Sequence, residues 1–330
     1  MPRSLARGSD GHPLLRLLQH RMLAGLFTLF LVSVVVFLAT QALPGNAAAA
    51  FLGRNAASPV RLHALEAQLH LNRSIAVQYW TWLSGLFTGH LGQSLAARQP
   101  VWTVAGPRLA NSAVLVAASG VIGSLLGALL GSAAALYKDS KFDHASSVVA
   151  LTITALPEFV VAIALVIVFA TVVWPVLPAV SLLAPGQFAW TQPELLVLPV
   201  ATLVLVIVPY TMRMMRAAMV ESLQSDYVEM ARLKGLSEWR VVLGHALPNA
   251  IAPVIQVIGL NFLYLAGGIV VVEYVFNFPG IGQGLVNAVN ARDLPVIQFI
   301  VVVLAAFYVV ANIACDVVAL LGTPRRRIGR

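Results

Sequence analysis

Glu158 follows Pro157 in the stretch ALPEF, so a carboxylate and a helix-bending residue stand together inside an apolar run. Charge is costly to bury in hydrocarbon, which makes the pair a candidate for the wall or gate of a pathway. A carboxyl bonded to a neighbouring helix accounts for Glu158 equally well. Asp316 is the other acidic residue read inside an apolar run. Neither belongs to a hydrolytic motif. None of Lys138, Lys141 or Lys234 stands in the Gly-Lys-Ser/Thr context that cradles phosphates, and there is no His-Glu-x-x-His helix or Gly-x-Ser-x-Gly elbow. The histidines (12, 20, 63, 70, 90, 144 and 245) show no ligand spacing apart from the seven-residue gap between His63 and His70, which two helical turns could align. Metal binding there is the lesser reading. Cys315 has no partner for a disulfide, and packing is its expected role. No catalytic residue, metal site or cofactor is expected in this chain.

The longest polar stretch is DYVEMARLKGLSEWRVVLGHALPN, residues 226 to 249. Its pattern predicts an amphipathic helix from about Ala217 to Lys234 that stops at Gly235, a residue suited to a helix C-terminus. Ser237 can cap a second helix with Glu238 in its first turn, and Pro248 leads back into an apolar run. Helix, glycine turn, helix and proline together make a rigid elbow, which a plain loop would not need.

The elements that must carry these residues are membrane helices. Of 330 residues 59% are hydrophobic and 10% charged, with a mean hydropathy of +0.86, whereas soluble domains carry about 25% charged residues. Six apolar runs can span a bilayer: 22 to 43, 112 to 136, 147 to 173, 195 to 212, 250 to 272 and 296 to 321. The expectation is an all-α integral membrane protein with a short segment 1–21, a transmembrane domain 22–321 and a tail 322–330. The first run, about 22 residues, exceeds a signal-peptide core and is read as a retained span.

Fifteen of the 21 basic residues fall on the side that holds both termini, the 137–146 loop and the 213–249 loop, so that side is read as cytoplasmic. The net charge of +8 is therefore a topology signal. It lacks the basic stripe with interleaved aromatics that would suggest nucleic acid. The outer segment 44–111 reads as short surface helices, at 58–71 and, with Tyr79, Trp80 and Trp82, at 75–87. Gly123, Gly127 and Gly131 repeat every four residues and make a flat face for close helix packing, within the subunit in preference to between subunits.

At the elbow the chain resembles the permease subunits of bacterial ABC importers. Their EAA loop reads Glu-Ala-Ala, three residues, Gly, nine residues, Ile, one residue, Leu-Pro. Glu229, Ala231, Gly235, Leu247 and Pro248 hold that spacing, while Met230 and His245 depart from it. VVEYVFNFPGIGQGLVNAVNARDLPVIQ at 271–298, LPGN at 43–46, LHLNRSIAVQYWTWL at 69–83 and GLFTGHLGQSL at 85–95 narrow the likeness. They resemble the B-type subunit of the dipeptide, oligopeptide and nickel importer family. Asn46, His70, Asn72, Ser74 and His90 replace residues usual in that outer segment, and Thr323 replaces the usual Asp before Pro324.

The resemblance implies a type I ABC importer permease that forms half of a translocation pore. A second, C-type permease subunit would supply the other half. Two separate ATPases, which bind ATP and Mg, would dock on the EAA loops, and an external binding protein would deliver a di- or oligopeptide. Nickel or another small solute is the alternative within the same machine, and a proton-coupled carrier using Glu158 is the alternative outside it.

Overall fold

The computed structural model describes residues 13–42, 73–184 and 186–322. The helix expected at 58–71, the His63/His70 pair, Asn46, Asn72 and Thr323 lie outside them. Eleven α-helices follow one another among the described residues: α1 Pro13–Gln41, α2 Ile75–Thr88, α3 Val101–Leu136, α4 Lys141–Ala155, α5 Glu158–Val166, α6 Val197–Leu223, α7 Asp226–Leu233, α8 Glu238–Val241, α9 Leu247–Val275, α10 Ile281–Ala291 and α11 Leu294–Gly322. One wider π-turn prolongs α5 over Ile167–Thr171, and another joins α8 to α9 over Val242–Ala246. α1, α3, α6, α9 and α11 are each long and apolar enough to cross a bilayer.

The third expected span, 147 to 173, is a broken one. α4 and α5 together are long and apolar enough for one membrane crossing, but they are bent by 106° at Leu156 and Pro157. Leu156, the residue before Pro157, is held in an extended conformation, and Pro157 then stands at the N-terminal boundary of α5. Proline thus ends one helix and starts the next. The other prolines act differently. Pro199 lies in the first turn of α6, where no backbone N–H is needed, and Pro209 stays inside that helix, buried among neighbours. α6 therefore runs on to Leu223, eleven residues past the apolar run. α3 likewise starts at Val101, eleven residues before the run expected to cross.

The core is the contact of α3 with α6. A Cβ added at Gly123 would lie 2.5 Å from Ile207 Cδ1, and one at Gly127 would lie 2.6 Å from Thr211 Cβ. The glycine face is therefore spent inside the subunit, as expected. Leu115, Leu198, Leu203, Ile207, Leu265 and Ile269 fill the space around it from α3, α6 and α9. Asn261 Nδ2 donates to Thr211 Oγ1 at 2.8 Å, pinning α9 to α6 where both are buried. Arg216 on α6 holds Asp143 on α4 through two N–H···O bonds of 2.5 and 2.6 Å. At the edge of the bundle, Arg21 of α1 and Asp316 of α11 form an ion pair of 2.8 Å, which gives that acidic residue a structural partner. Cys315 is a free thiol packed against Gly259.

The end of the bundle away from the elbow is closed by polar clamps. Asp293, 3% exposed, accepts from Ser94 Oγ and from the N–H groups of Leu95 and Ala96, at 3.0 and 3.3 Å for the backbone bonds. This ties the segment after α2 to the start of α11. On α2, Tyr79 bonds Ser33 of α1 through its hydroxyl at 2.8 Å and packs edge-on against Phe37. Replacing Gly127 by Val forces α3 and α6 apart, so Gly127→Val should lower the thermal unfolding temperature of the detergent-purified protein, at a cost of about 1 to 3 kcal/mol. Gly244→Ala, which meets no atom within 4 Å, should leave it nearly unchanged.

Candidate coupling elbow and translocation face

The elbow is folded by its own sequence. α6 ends at Leu223 and the chain turns extended at Ser225 before α7 begins. The single helix expected from Ala217 to Lys234 is thus two. Ser225 Oγ donates back to the carbonyl of Ser222 at 2.5 Å, an alternative to the helical ladder that breaks it there. Asp226 and Glu229 lie in the first turn of α7, where the helix dipole favours acids. The helix then closes in a Schellman turn: Gly235 N–H donates to the Arg232 carbonyl at 2.9 Å, and Leu236 N–H donates to the Ala231 carbonyl at 3.3 Å. Gly235 has φ +75°, and a Cβ there meets nothing within 4 Å. Its requirement is backbone conformation alone.

Beyond the turn, Ser237 stands at the N-terminal boundary of α8 as expected, but its side chain makes no capping hydrogen bond. The bend is instead fastened by a fork-to-fork pair. Arg232 Nε and Nη2 donate to Glu238 Oε1 and Oε2 at 2.9 and 3.2 Å, across Gly235. Ala231, Val228, Val241, Val242 and Ala246 form a buried cluster with Met215, Ala218 and Met219 of α6, and Leu236 and Leu247 pack on it. Ser222 is the hub of the joint. It shares a hydrogen bond of 2.6 Å with the Tyr227 hydroxyl and donates to the Ala246 carbonyl at 3.0 Å. Pro248 occupies the first turn of α9, which needs no N–H.

The five motif residues therefore divide by task. Ala231 and Leu247 pack inward, Gly235 and Pro248 set the backbone path, and Glu229 is exposed on α7. Facing outward are Tyr227, Met230, Leu233, Trp239 and Leu243, with Leu233 75% and Trp239 69% exposed. A groove lined by Leu236, Trp239, Arg240, Leu243, Gly244 and His245 runs beside them. Met230 and His245, the two departures from the motif, thus belong to this surface: Met230 is exposed and His245 lines the groove.

Along the long helices, the open faces are of two kinds. Those of α1 and α3 are chiefly apolar: Leu23, Leu26, Phe27 and Leu31 on one, where the exposed Thr28 hydroxyl donates back to the Ala24 carbonyl, and Val121, Leu125, Leu129 and Leu130 on the other. Those of α6 and α9 carry polar groups at helical spacing, Tyr210 and Arg213 on the first, Gln256, Tyr264 and Tyr274 on the second. Lipid matches the former, and a watered or subunit-lined path matches the latter. Glu158 lies on this polar side. The Tyr264 hydroxyl donates to its Oε2 at 3.2 Å, and the carboxylate rests against Gly268, where a Cβ would come within 2.7 Å of Oε2. Pro157 is exposed beside it, at the 106° break.

Several ionisable groups escaped the sequence reading, among them the buried Glu273 and the half-buried Arg108. Glu273 has no exposed surface; it accepts from Ser112 Oγ at 2.5 Å and from the N–H groups of Gly282 and Gln283 at 2.7 and 3.0 Å. It serves as the missing cap of α10 while joining α9 to α3. Arg108 braces the same corner through the Gly280 carbonyl and Gln283 Oε1 at 3.3 and 3.2 Å. Glu273 falls one residue past the expected fifth span and Arg108 just before the second, so neither was counted as intramembrane. The signal available was Glu273 between Val272 and Tyr274, followed by the Pro-Gly turn at 279–280. Among the described residues no cluster of His, Cys, Asp and Glu could hold a metal ion.

A bundle with a glycine-packed core, a polar open face and a rigid elbow built on one end is the architecture of a transporter's membrane subunit. Comparison with known proteins agrees. Residues 123–328 match the family described as binding-protein-dependent transport system inner membrane component, and residues 14–115 match the N-terminal domain of such components. A protein named as a peptide permease in Brucella suis biovar 1 is 35% identical over 96% of this chain and 100% of its own. The glutathione transport system permease protein of Escherichia coli K12 is 35% identical over 90% and 94%. A peptide transport system permease protein of Brucella abortus (strain 2308), as that protein is named, is 34% identical over 94% and 98%. The chain belongs to the family of binding-protein-dependent transport system inner membrane components, with the fold of type I ABC importer permeases.

Two outcomes follow from the geometry. Glu273→Leu strands a hydroxyl and two amides, so it should cost about 3 kcal/mol or more and expose the α9–α10 corner to protease, with Glu273→Gln milder. Arg232→Ala should cost less than about 1 kcal/mol globally, because the pair is solvent-screened. Yet it should raise hydrogen exchange severalfold across α7 and α8, and the double exchange Arg232→Glu with Glu238→Arg should restore protection.

Proposed function

We propose that this chain forms half of the translocation pore of an ATP-driven importer for di- or oligopeptides. The single observation that carries the reading is the elbow. Its motif spacing coincides with a Schellman turn, a bidentate brace and an apolar outer surface, all mounted on the ends of α6 and α9. A separate ATPase would seat Tyr227, Met230, Leu233 and Trp239 in a cleft. Its closure would then turn α6 and α9 as one body, because Ser222, Ala246 and the buried cluster leave no slack between them. Alternating access follows from a two-state bundle biased by ATP binding.

In this reading the chain contributes no catalytic group and holds no cofactor. ATP and Mg belong to two ATPase subunits, a C-type permease subunit completes the pore, an external binding protein delivers the solute, and membrane lipid covers the apolar faces. The elbow end of the bundle and both termini are cytoplasmic, in keeping with the excess of basic residues on that side. Peptide as solute is supported by the names of the relatives, which are peptide and glutathione permeases.

The elbow is tested at Gly235. A branched residue is strained at φ +75°, by about 1 to 2 kcal/mol, whereas Asn tolerates that region. In liposomes holding the complete transporter, Gly235→Val should lower peptide uptake at least tenfold and loosen the ATPase subunits, and Gly235→Asn should keep most of both. Native uptake by Gly235→Val would remove the coupling role.

A further inference from the structure

A cavity of about 280 Å³ opens at the end of the bundle away from the elbow, where α1 stops at Gln41 and α11 starts at Leu294. Both helices are long and apolar enough to cross a bilayer, so their ends mark the level of the lipid headgroups. α2 forms the third wall. It leaves Ile75, Val77, Trp80 and Phe87 exposed, and aromatic residues such as its Tyr79, Trp80 and Trp82 are enriched at the membrane boundary. The cavity thus continues the lipid-facing edge that the apolar face of α1 begins.

Its walls are tied to one another, so it is built into the fold. Gln298 Nε2 of α11 donates to Thr40 Oγ1 of α1 at 2.7 Å, and Gln41 Nε2 of α1 donates to Gln78 Oε1 of α2 at 3.1 Å. Gln78 Nε2 in turn donates to the Arg73 carbonyl at 2.8 Å, which fixes the chain just before α2. The Asp293 clamp holds the segment that follows α2.

The lining has two parts. Phe37, Trp82 and Leu294 give an apolar floor, with the Phe37 and Trp82 rings 5.7 Å apart. Gln41, Arg73, Thr81 and His90 are exposed at the mouth. No carboxylate lines the cavity, and Arg73 has no acidic partner among the described residues. A guanidinium fork suits the two free oxygens of a phosphate diester, which it can meet with paired, charge-assisted N–H bonds. An amide and an imidazole beside it suit neutral hydroxyls, whereas an ammonium headgroup would find no counter-charge. Basic pockets between membrane helices bind anionic headgroups by this chemistry.

We propose that this cavity binds the phosphoglycerol headgroup of an anionic phospholipid from the leaflet away from the elbow. Arg73 holds the phosphate, Gln41 and His90 hold the glycerol hydroxyls, and the acyl chains leave along the apolar faces of α1 and α2. The lipid then fastens α2 to α1 and α11. The site is independent of which solute is imported.

Photo-cross-linking in the complete transporter tests this. Thr81 lines the cavity, but its hydroxyl already donates to the Val77 carbonyl within α2, so p-benzoylphenylalanine in its place leaves the polar groups at the mouth intact. The same probe replacing Trp80, which is exposed and does not line the cavity, samples bulk lipid. In nanodiscs of mixed phosphatidylglycerol and phosphatidylethanolamine, adducts from the Thr81 site should be enriched in phosphatidylglycerol at least fivefold over the bilayer, and those from the Trp80 site should match it. Arg73→Gln should abolish the enrichment without changing the Trp80 control, and Arg73→Lys, which keeps the charge but loses the fork, should fall between. With neither probe present, phosphatidylglycerol in place of phosphatidylethanolamine should slow hydrogen exchange across α2 severalfold in the native protein and not in Arg73→Gln.

Adducts from the Thr81 site that follow bulk composition, an enrichment that survives Arg73→Gln, or exchange in native α2 that ignores the lipid would each overturn the proposal. Cross-links from the Thr81 site to the binding protein in place of lipid would overturn it too, and would assign the cavity to a protein contact.

Discussion

The close approach of α3 and α6 is the contact on which the rest is built. Helices in a bilayer gain little from the hydrophobic effect, since lipid is as apolar as their side chains, and so depend on packing and buried hydrogen bonds. Gly123 and Gly127 let α6 come near enough for Ile207 and Thr211 to lie on the backbone of α3. With α6 fixed there, its other faces become platforms. Thr211 reaches Asn261 of α9, Arg216 reaches Asp143 of α4, and Ser222 reaches the elbow. Tyr210 and Arg213 remain exposed among the described residues.

Polar groups in such a setting must be paired, and the pairs found here differ in how completely they are made. Glu273 is paired completely: one hydroxyl and two amides hold a corner that has no reason to open. Asp293 likewise closes the far end. Glu158 is paired only in part, at a proline break on the open face. The contrast is between carboxylates sealed by the fold and one that keeps an oxygen without a donor among the described residues.

The elbow joins the two scales. Its turns are local, made by Ser225, Gly235 and Pro248, while its rigidity comes from burial against α6 and from the Arg232–Glu238 fork. An apolar outer surface on a stiff mount transmits a push; the same surface on a mobile loop would absorb it. The wider turn at Val242–Ala246 is where the mount meets α9, and Ser222 fills the carbonyl that this turn presents.

Much of this was legible in the residues. Hydropathy gave the membrane class and the crossings, glycine period gave the packing face of α3, and motif spacing gave the elbow, because each is a repeat or a punctuation read along one chain. Pro157 marked a break, though not its 106°, and the helix drawn through Ser225 missed a break made by one hydroxyl turning back on a carbonyl. What only the tertiary structure decided were the meetings of distant residues: Asp143 with Arg216, Glu273 with Ser112, Asp293 with Ser94, Glu158 with Tyr264. These depend on which helix faces which, and a local pattern cannot state that. The sequence determined which residues must avoid lipid, since transfer cost belongs to the side chain. The structure determined how each avoids it, since a partner is a matter of geometry.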